Sequence, residues 1–386
     1  MHRFEDSTLS PMQAKQGYYQ VGNKLFDKKL NALLEATASR NPVQWNFNHT
    51  VFANQAQKPR LGMSLWDLYR QRALQLRDQY DYLILAYSGG ADSDNILKVF
   101  QHHGIRLDEV WCDWPHSLVE RSGYVATAST EPENMPIEWL AVIKPELKQL
   151  AQTNPEIKIH VSDAFDGQTL EDAEDSMTVI SVPTVYTSIK RYRYITKYLQ
   201  QFVDRGQSVA VIAGMDKVQP ALQGNQYGFQ FVDNACIFKT HAQGTEYRNV
   251  EYFYWTPDLP EIVTEQAHRV WDVLKNMPEQ TKTVLNRHGA EIHQRKKWFD
   301  HLIKTICYPH WDFSKIQVDK SGIFANYHFD RLTQRYNKEK FYQSWAYCAL
   351  NTVRQLDPQL AFNDRQSIRS DLTTFKNFHA IGTVEW

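Results

Sequence analysis

The sequence predicts an α/β protein whose core is a doubly wound parallel sheet, with a helical N-terminal region before it and a mainly helical C-terminal lobe after it. Two observations predict this architecture. Short apolar segments of strand length alternate with amphipathic segments of helix length, a pattern typical of right-handed βαβ units. The first apolar segment also leads into a loop of small residues, Ser88 to Ser93, at a strand-to-helix junction where such sheets bind ligands.

Before the sheet, apolar residues recur at helical spacing in residues 24–38 and 64–79. The alternating segments that follow are strand 83–87, helix 93–103, strand 109–113, helix 137–152, strand 157–161, a helical stretch 188–204 and strand 209–213. Later segments predict a hairpin from residues 226–232 and 235–239, a strand within 249–255 and a helix ending near residue 276.

Composition limits the classes of partner. A chain of 386 residues with 42% hydrophobic content can bury a full α/β core and a second lobe. Its formal net charge of -1 gives no overall basic field, so the charge balance does not support a nucleic-acid partner. Residues 190–198 mix cations and aromatic rings, which suits either base stacking or an amphipathic helix with basic stems over a core.

Neither a membrane nor a secretory route is expected. The segment from Met1 to Asp6 lacks the apolar core of a signal peptide, and no apolar stretch is long enough to span a bilayer. We therefore expect a cytoplasmic protein. The oligomeric state is left open by the sequence.

The loop between the first strand and helix has the composition of a phosphate-binding loop. Ser and Gly leave backbone N–H groups free to point at an anion, and the positive end of the following helix adds to the attraction. A Walker loop would need a Lys after its last Gly, whereas Asp92 and Ser93 stand here. Transfer of a γ-phosphate is therefore disfavoured. A plain strand-to-helix turn with two glycines is the simpler alternative.

The run Ser88-Gly89-Gly90-Ala91-Asp92-Ser93 resembles the SGGxDS signature of the PP-loop ATP pyrophosphatases, relatives of the adenine nucleotide alpha-hydrolases. Members of that superfamily cleave ATP between its α- and β-phosphates. The resemblance implies a HUP-like doubly wound sheet, in which the Ser and Gly residues of this run and Ala91 surround the pyrophosphate of ATP. It also implies that Asp92 helps to hold Mg²⁺.

A second loop follows the strand 209–213, at the position where amide-forming members of the superfamily place another active-site loop. Gly214 would let the backbone turn close to the ligand. Asp216 would bind Mg²⁺ or orient an attacking amine, and Lys217 would neutralise the leaving pyrophosphate. The alternative is an ordinary turn with a solvated Asp-Lys pair.

The cysteines limit which branches of the superfamily this chain resembles. The chain has four cysteines that form no CxxC pair: Cys112, Cys236, Cys307 and Cys348. This absence disfavours the zinc-dependent and paired-thiol branches of the superfamily, and we expect each cysteine to be a small buried hydrophobe. With no Cys near Met1, an N-terminal nucleophile glutaminase is not expected. The amide-forming, asparagine synthetase-like branch is closest, with ammonia, another subunit or a substrate amine supplying the nitrogen.

These observations predict an accessory region 1–79, a nucleotide-binding domain 80–224 and a substrate or interaction lobe 225–386. The predicted function is an ATP-dependent adenylating enzyme that releases pyrophosphate and activates a carboxylate or amide oxygen for attack by an amine or ammonia. Two alternatives stay open: a PP-loop enzyme that modifies a nucleobase or nucleic acid by amine or sulfur transfer, and a non-catalytic nucleotide-binding protein. The acceptor substrate is not identified by the sequence.

Overall fold

The centre of the protein is a five-stranded sheet in which all strands run parallel. The computed structural model describes residues 15–26, 32, 35–36, 38–113, 136–162, 198–215, 217–233, 250–285, 292–316 and 375–386. The sheet has the order β10-β7-β4-β5-β6, and its strands in chain order are β4 (Tyr82–Ala86), β5 (Glu109–Asp113), β6 (Lys158–Ser162), β7 (Val209–Ala213) and β10 (Val250–Tyr252). This observation confirms the predicted α/β class with a parallel sheet.

The order of the strands reverses between β4 and β7. From β4 the chain adds β5 and β6 on one side, and it then adds β7 and β10 on the other side. Ala86 pairs with Ala213, so the two central strands end at the same level. In open α/β sheets the crevice at the carboxyl ends of two such strands is where ligands bind.

Helices cover both faces of this sheet. Leu85 and Ile212 point to the main core, where three helices pack: α2 (Leu65–Gln79), α3 (Ala91–His102) and α5 (Glu261–Leu274). On the opposite face, Ile84 and Val211 pack against Leu199 in the helical residues 198–203. Alternate residues of each strand therefore face opposite layers, as the pleat requires.

The remaining helices surround this core. They are α1 (His49–Ala56), α4 (Lys144–Thr153), α6 (Pro278–Leu285) and α7 (Ile292–Cys307). Immediately before α4, the helical turn Pro136–Glu138 leads into a π-helical turn, Trp139–Ile143. Among the helices of the described ranges, none is both long and apolar enough to cross a bilayer.

The N-terminal region differs from the prediction. It contains an antiparallel sheet of β1 (Tyr18–Val21), β2 (Lys24–Phe26) and β3 (Val43–Asn46). The expected helix over residues 24–38 is therefore wrong at its start, although residues 35–36 and 38–39 are helical. Pairing with β1 supplies backbone hydrogen bonds to Lys24–Phe26, and such tertiary pairing overrides a weak helical periodicity.

The region after residue 213 also differs. A third sheet, in the order β11-β9-β8, combines β8 (Gln219–Gln223) and β9 (Gln226–Val232) with β11 (Lys376–Thr383). The hairpin partner of β9 is thus β8; residues 235–239 lie outside the described residues. Pro220 is tolerated because β8 is an edge strand. The central sheet takes β10 from beyond residue 224, and the described C-terminal lobe contributes three strands besides its helices.

The predicted burial of the cysteines is confirmed where the structure describes them. Cys112 and Cys307 are both buried. Cys236 and Cys348 lie outside the described residues.

Candidate functional site

Two loops predicted to bind the nucleotide meet at the switch point of the sheet. Ser88, Gly89 and Gly90 connect β4 to α3, and Gly214 directly follows β7. A Cβ atom added to Gly214 would lie 3.3 Å from the Cβ of Asp92, so the second loop passes against the first turn of α3. Asp216 lies outside the described residues.

The two serines hold the first loop in a closed turn. The Ser88 N–H donates to Ser93 Oγ at 3.2 Å, and the Ser93 hydroxyl donates to the carbonyl of Gly90 at 3.2 Å. The two hydroxyl oxygens are 3.4 Å apart. Ser88 is exposed whereas Ser93 is buried. Both hydroxyls therefore lie on the same side of the loop, at the start of the helix.

The N-cap residue of the helix after this loop provides no side-chain cap. Gly90 is the N-cap residue and contributes no capping side chain, and the first intrahelical bond runs from the Asp94 N–H to the Gly90 carbonyl at 3.0 Å. The N–H groups of Ala91, Asp92 and Ser93 precede that bond. Uncapped N–H groups at the positive end of a helix form an anion-binding position.

Asp92 is held by two tyrosines that come from distant parts of the chain. The Tyr308 hydroxyl donates to Asp92 Oδ1 at 2.5 Å, and the Tyr254 hydroxyl donates to the main-chain carbonyl of Asp92 at 2.9 Å. Both tyrosines are fully buried, while Asp92 is partly exposed. Asp92 is therefore partly exposed to solvent, while the two tyrosines that bind it are buried beneath it.

A second group of charges lies beside the loop. Asp94 binds Lys98 at 2.8 Å and Lys315 at 3.0 Å. Lys315 also forms an ion pair with Glu146, which accepts a hydrogen bond from the Tyr87 hydroxyl. Burial opposes the charge on Lys315, but the hydrogen bonds that its ammonium donates to Glu146 and Asp94 outweigh burial and raise the pKa of the ammonium above its ordinary value. Lys315 therefore remains a cation at the mouth of the loop.

Lys217 has a structural partner. Its ammonium lies 2.8 Å from Asp300 Oδ1 on α7, and Lys304 lies 2.6 Å from the other oxygen of that carboxylate. Burial alone would raise the pKa of Asp300, but the two lysine charges outweigh it and hold the pKa below its ordinary value. The predicted contact of Lys217 with pyrophosphate would require this ion pair to rearrange.

Sequence patterns did not reveal four of the residues at this site: Tyr254, Tyr308, Lys315 and Glu146. Tyr254 follows β10 by two residues, so its place at the carboxyl end of a parallel strand was the available signal. Tyr308 and Lys315 come after α7, and no local pattern links them to the loop. The basic-aromatic segment 190–197 lies outside the described residues.

Within the described ranges, no group of three or more His, Cys, Asp or Glu side chains is arranged to hold a metal ion. Mg²⁺ is nevertheless commonly held by one or two carboxylates together with substrate phosphates, and Asp92 supplies one such carboxylate beside the uncapped helix start. The residues present fit a Mg²⁺ ion that arrives with a polyphosphate. No protein-family model matches this chain, and no curated protein is significantly similar to it.

Proposed function

We propose that this protein is an adenylating enzyme of the PP-loop ATP pyrophosphatase type, which converts ATP to AMP and pyrophosphate. One observation carries the proposal: the SGGxDS run forms a strand–loop–helix junction at the switch point of a parallel sheet, and Gly90, the N-cap residue of the helix, has no capping side chain. That is the position and the chemistry expected of a polyphosphate-binding loop.

The residues suggest how the reaction proceeds. The N–H groups of Ala91 to Ser93 and the Ser88 hydroxyl would bind the β- and γ-phosphates, and the Ser93 hydroxyl would join them by turning away from the Gly90 carbonyl. Asp92 would hold the accompanying Mg²⁺. When bound, Mg²⁺ would supply Lewis-acid chemistry, which polarises the phosphate oxygens and neutralises charge on the leaving group. Phosphoryl chemistry depends mainly on such positioning and electrostatic stabilisation.

The proposed chemistry balances in two steps. A carboxylate or amide oxygen of the second substrate attacks the α-phosphorus, the bond from that phosphorus to the oxygen leading to the β-phosphate breaks, and pyrophosphate leaves. An amine or ammonia then attacks the activated carbon, and AMP departs as the amide or amidine forms. Asp216, which lies outside the described residues, is proposed to help bind Mg²⁺ or orient the amine, and Lys217 to neutralise the pyrophosphate.

The first test is binding, because it needs no acceptor. We expect the protein to bind Mg²⁺ with α,β-methylene ATP in calorimetry, and Ser93→Ala to weaken binding about tenfold or more, since a hydrogen bond to a charged phosphate contributes roughly 1.5–3 kcal/mol. Asp92→Asn should weaken it similarly. Asp204→Asn, on an exposed turn, is the matched control and should bind as the wild type does.

The second test identifies the products. ATP labelled at the α-phosphate is incubated with the protein and fractionated pools of carboxylates, amides and nucleic acid. AMP with pyrophosphate supports the proposal, and the stimulating fraction identifies the acceptor. ADP with phosphate contradicts it. Salt-dependent stimulation by the nucleic-acid fraction would instead favour a nucleic-acid-modifying enzyme.

A further inference from the structure

Three buried tyrosines lie beneath the first turn of α3. Tyr69 belongs to α2, Tyr254 follows β10 and Tyr308 follows α7, and none of the three side chains is accessible. The ring centroids are 5.5 Å apart for Tyr69 and Tyr254 and 5.4 Å apart for Tyr254 and Tyr308. Three distant parts of the chain therefore meet under the candidate site.

Each hydroxyl has a defined partner. The Tyr69 hydroxyl donates to the carbonyl of Cys307 at 2.8 Å and accepts from Gln266 Nε2 at 2.8 Å. The Tyr254 hydroxyl donates to the carbonyl of Asp92 and accepts from Asn95 Nδ2 at 2.9 Å. The Tyr308 hydroxyl, by contrast, donates to a carboxylate oxygen of Asp92.

The contact between Tyr308 and Asp92 is suited to fixing a charged side chain. Tyr308 is fully buried, and its hydroxyl donates to Asp92 Oδ1 at 2.5 Å. Hydrogen bonds to an ionised acceptor are short and roughly twice as strong as neutral ones. A carboxylate has about four acceptor positions, so Asp92 can accept this bond and still bind a cation.

We propose that Tyr308 is a positioning residue, whose buried hydroxyl orients the Asp92 carboxylate to bind the divalent cation that accompanies a nucleotide polyphosphate. The inference rests on the function proposed above. Carboxylates that bind metals are commonly oriented by such outer hydrogen bonds, and removing one typically lowers metal affinity 10–100-fold. Tyr308 would in this way connect the end of α7 to cation binding at the phosphate loop.

A purely structural role makes a different prediction. If Tyr308 only ties α7 to α3, its loss lowers the stability of the fold and leaves cation affinity unchanged. Tyr308→Phe removes one oxygen atom and keeps the ring packing. Tyr69→Phe is the matched control, because its hydroxyl is equally buried in the same cluster but is bonded to Cys307 and Gln266.

The test measures Mn²⁺ binding by electron paramagnetic resonance in the presence of saturating α,β-methylene ATP, with thermal unfolding of each variant alongside. We expect Tyr308→Phe to bind Mn²⁺ about 10–100-fold more weakly than the wild type, and Tyr69→Phe to bind within about twofold. Adding Tyr308→Phe to Asp92→Asn should cause no further loss, because the tyrosine acts through that carboxylate.

Unchanged Mn²⁺ affinity in a folded Tyr308→Phe protein would overturn the inference while leaving the proposed function intact. A wild-type protein that binds neither the nucleotide analogue nor Mn²⁺ would instead remove the proposed function itself. Should Tyr308→Phe not fold, Asp92→Glu replaces it, because that variant moves the carboxylate away from the fixed hydroxyl. It should also weaken Mn²⁺ binding about tenfold, and wild-type affinity there would equally overturn the inference.

Discussion

At the scale of single residues, Gly89 determines whether the loop from Ser88 to Ser93 can form. Its φ of 70° lies in the left-handed region, and a Cβ atom at this position would lie 2.5 Å from Cγ1 of Ile143. Ile143 belongs to the π-helical turn that precedes α4, so the loop is packed against another element rather than open to solvent. Glycine is needed here for both backbone conformation and space.

Replacing Gly89 by Ala should therefore disrupt the loop. The left-handed conformation alone costs about 1–2 kcal/mol for a non-glycine residue, and overlap with Ile143 adds roughly 1–3 kcal/mol. Gly104→Ala is a matched control just beyond the other end of α3, since its φ is 61° but its added Cβ would meet nothing within 4 Å.

Urea unfolding should show the larger loss for Gly89→Ala, and binding of Mg²⁺ with α,β-methylene ATP should be lost in that variant alone. Equal losses of stability in the two variants would mean that contact with Ile143 does not constrain the loop.

At the scale of elements, β11 pairs with β9 and carries a buried histidine into the core. His379 is 2% exposed, its ring packs on Phe229 at 5.2 Å and lies 4.9 Å from the ring of His49, and neither of its nitrogens is hydrogen-bonded within the described part of the chain. Burial, with a smaller contribution from the nearby charge of His49, lowers the pKa of His379 from 6.5 to about 4. The strand therefore docks with this ring neutral.

The attachment of β11 should weaken in acid. The unfolded chain takes up a proton on His379 near pH 6.5, whereas the folded chain does so only near pH 4, so stability falls as the pH decreases through this window. The shift corresponds to about 3 kcal/mol between pH 7 and pH 4. His379→Phe should lose that much less stability over the same range in urea unfolding.

If the free energies of unfolding of the wild type and His379→Phe depend on pH in the same way, the His379 ring contributes nothing to acid sensitivity. His49→Phe serves as the control, because it retains the buried His379 ring and removes only the lesser cause of the lowered pKa.

At the scale of the whole molecule, one hydrophobic core extends across all three parts of the predicted division. Residues of the N-terminal sheet, the central sheet and the C-terminal helices belong to one buried cluster, which includes Tyr19, Leu85 and Ile303. A buried ion pair also crosses it: Arg72 of α2 lies 2.8 Å from Glu251 of β10, and both side chains are almost inaccessible. Such contacts favour unfolding as one unit.

Arg72→Met should lower the stability of the entire protein. Removing one partner of a buried ion pair costs about 3–5 kcal/mol, and we expect the lower end because Lys15 and Tyr80 still bind Glu251. Circular dichroism and tryptophan fluorescence should report a single transition at a lower urea concentration with an unchanged slope. Lys24→Met, in an exposed ion pair with Glu35, should change stability by less than about 0.5 kcal/mol.

Two separated transitions in the Arg72→Met protein, with one at its wild-type position, would show instead that the regions unfold independently. That result would favour the division at residues 79 and 224.

Local sequence pattern predicts an element correctly where the segment lies in the interior of the parallel sheet. Strands 109–113 and 209–213 were predicted with the bounds that the structure has, because their apolar runs lie in the interior of a parallel sheet. The helix starting after Ser64 was also predicted, and Ser64 caps it by accepting a hydrogen bond from the Asp67 N–H at 3.0 Å. Pattern failed at Lys24–Phe26, where pairing with β1 outweighs helical periodicity.

The candidate site likewise has features that the sequence predicts and contacts that only the tertiary structure shows. The sequence by itself determined the parallel α/β core and the loop of small residues from Ser88 to Ser93 between a strand and a helix, because strand periodicity and loop composition depend on neighbours along the chain. Only the tertiary structure decided that Gly214 lies against Asp92, that Tyr308 holds its carboxylate and that Lys217 pairs with Asp300. Those contacts join residues far apart in the chain, and their geometry depends on how the sheet orders its strands and on how α7 packs.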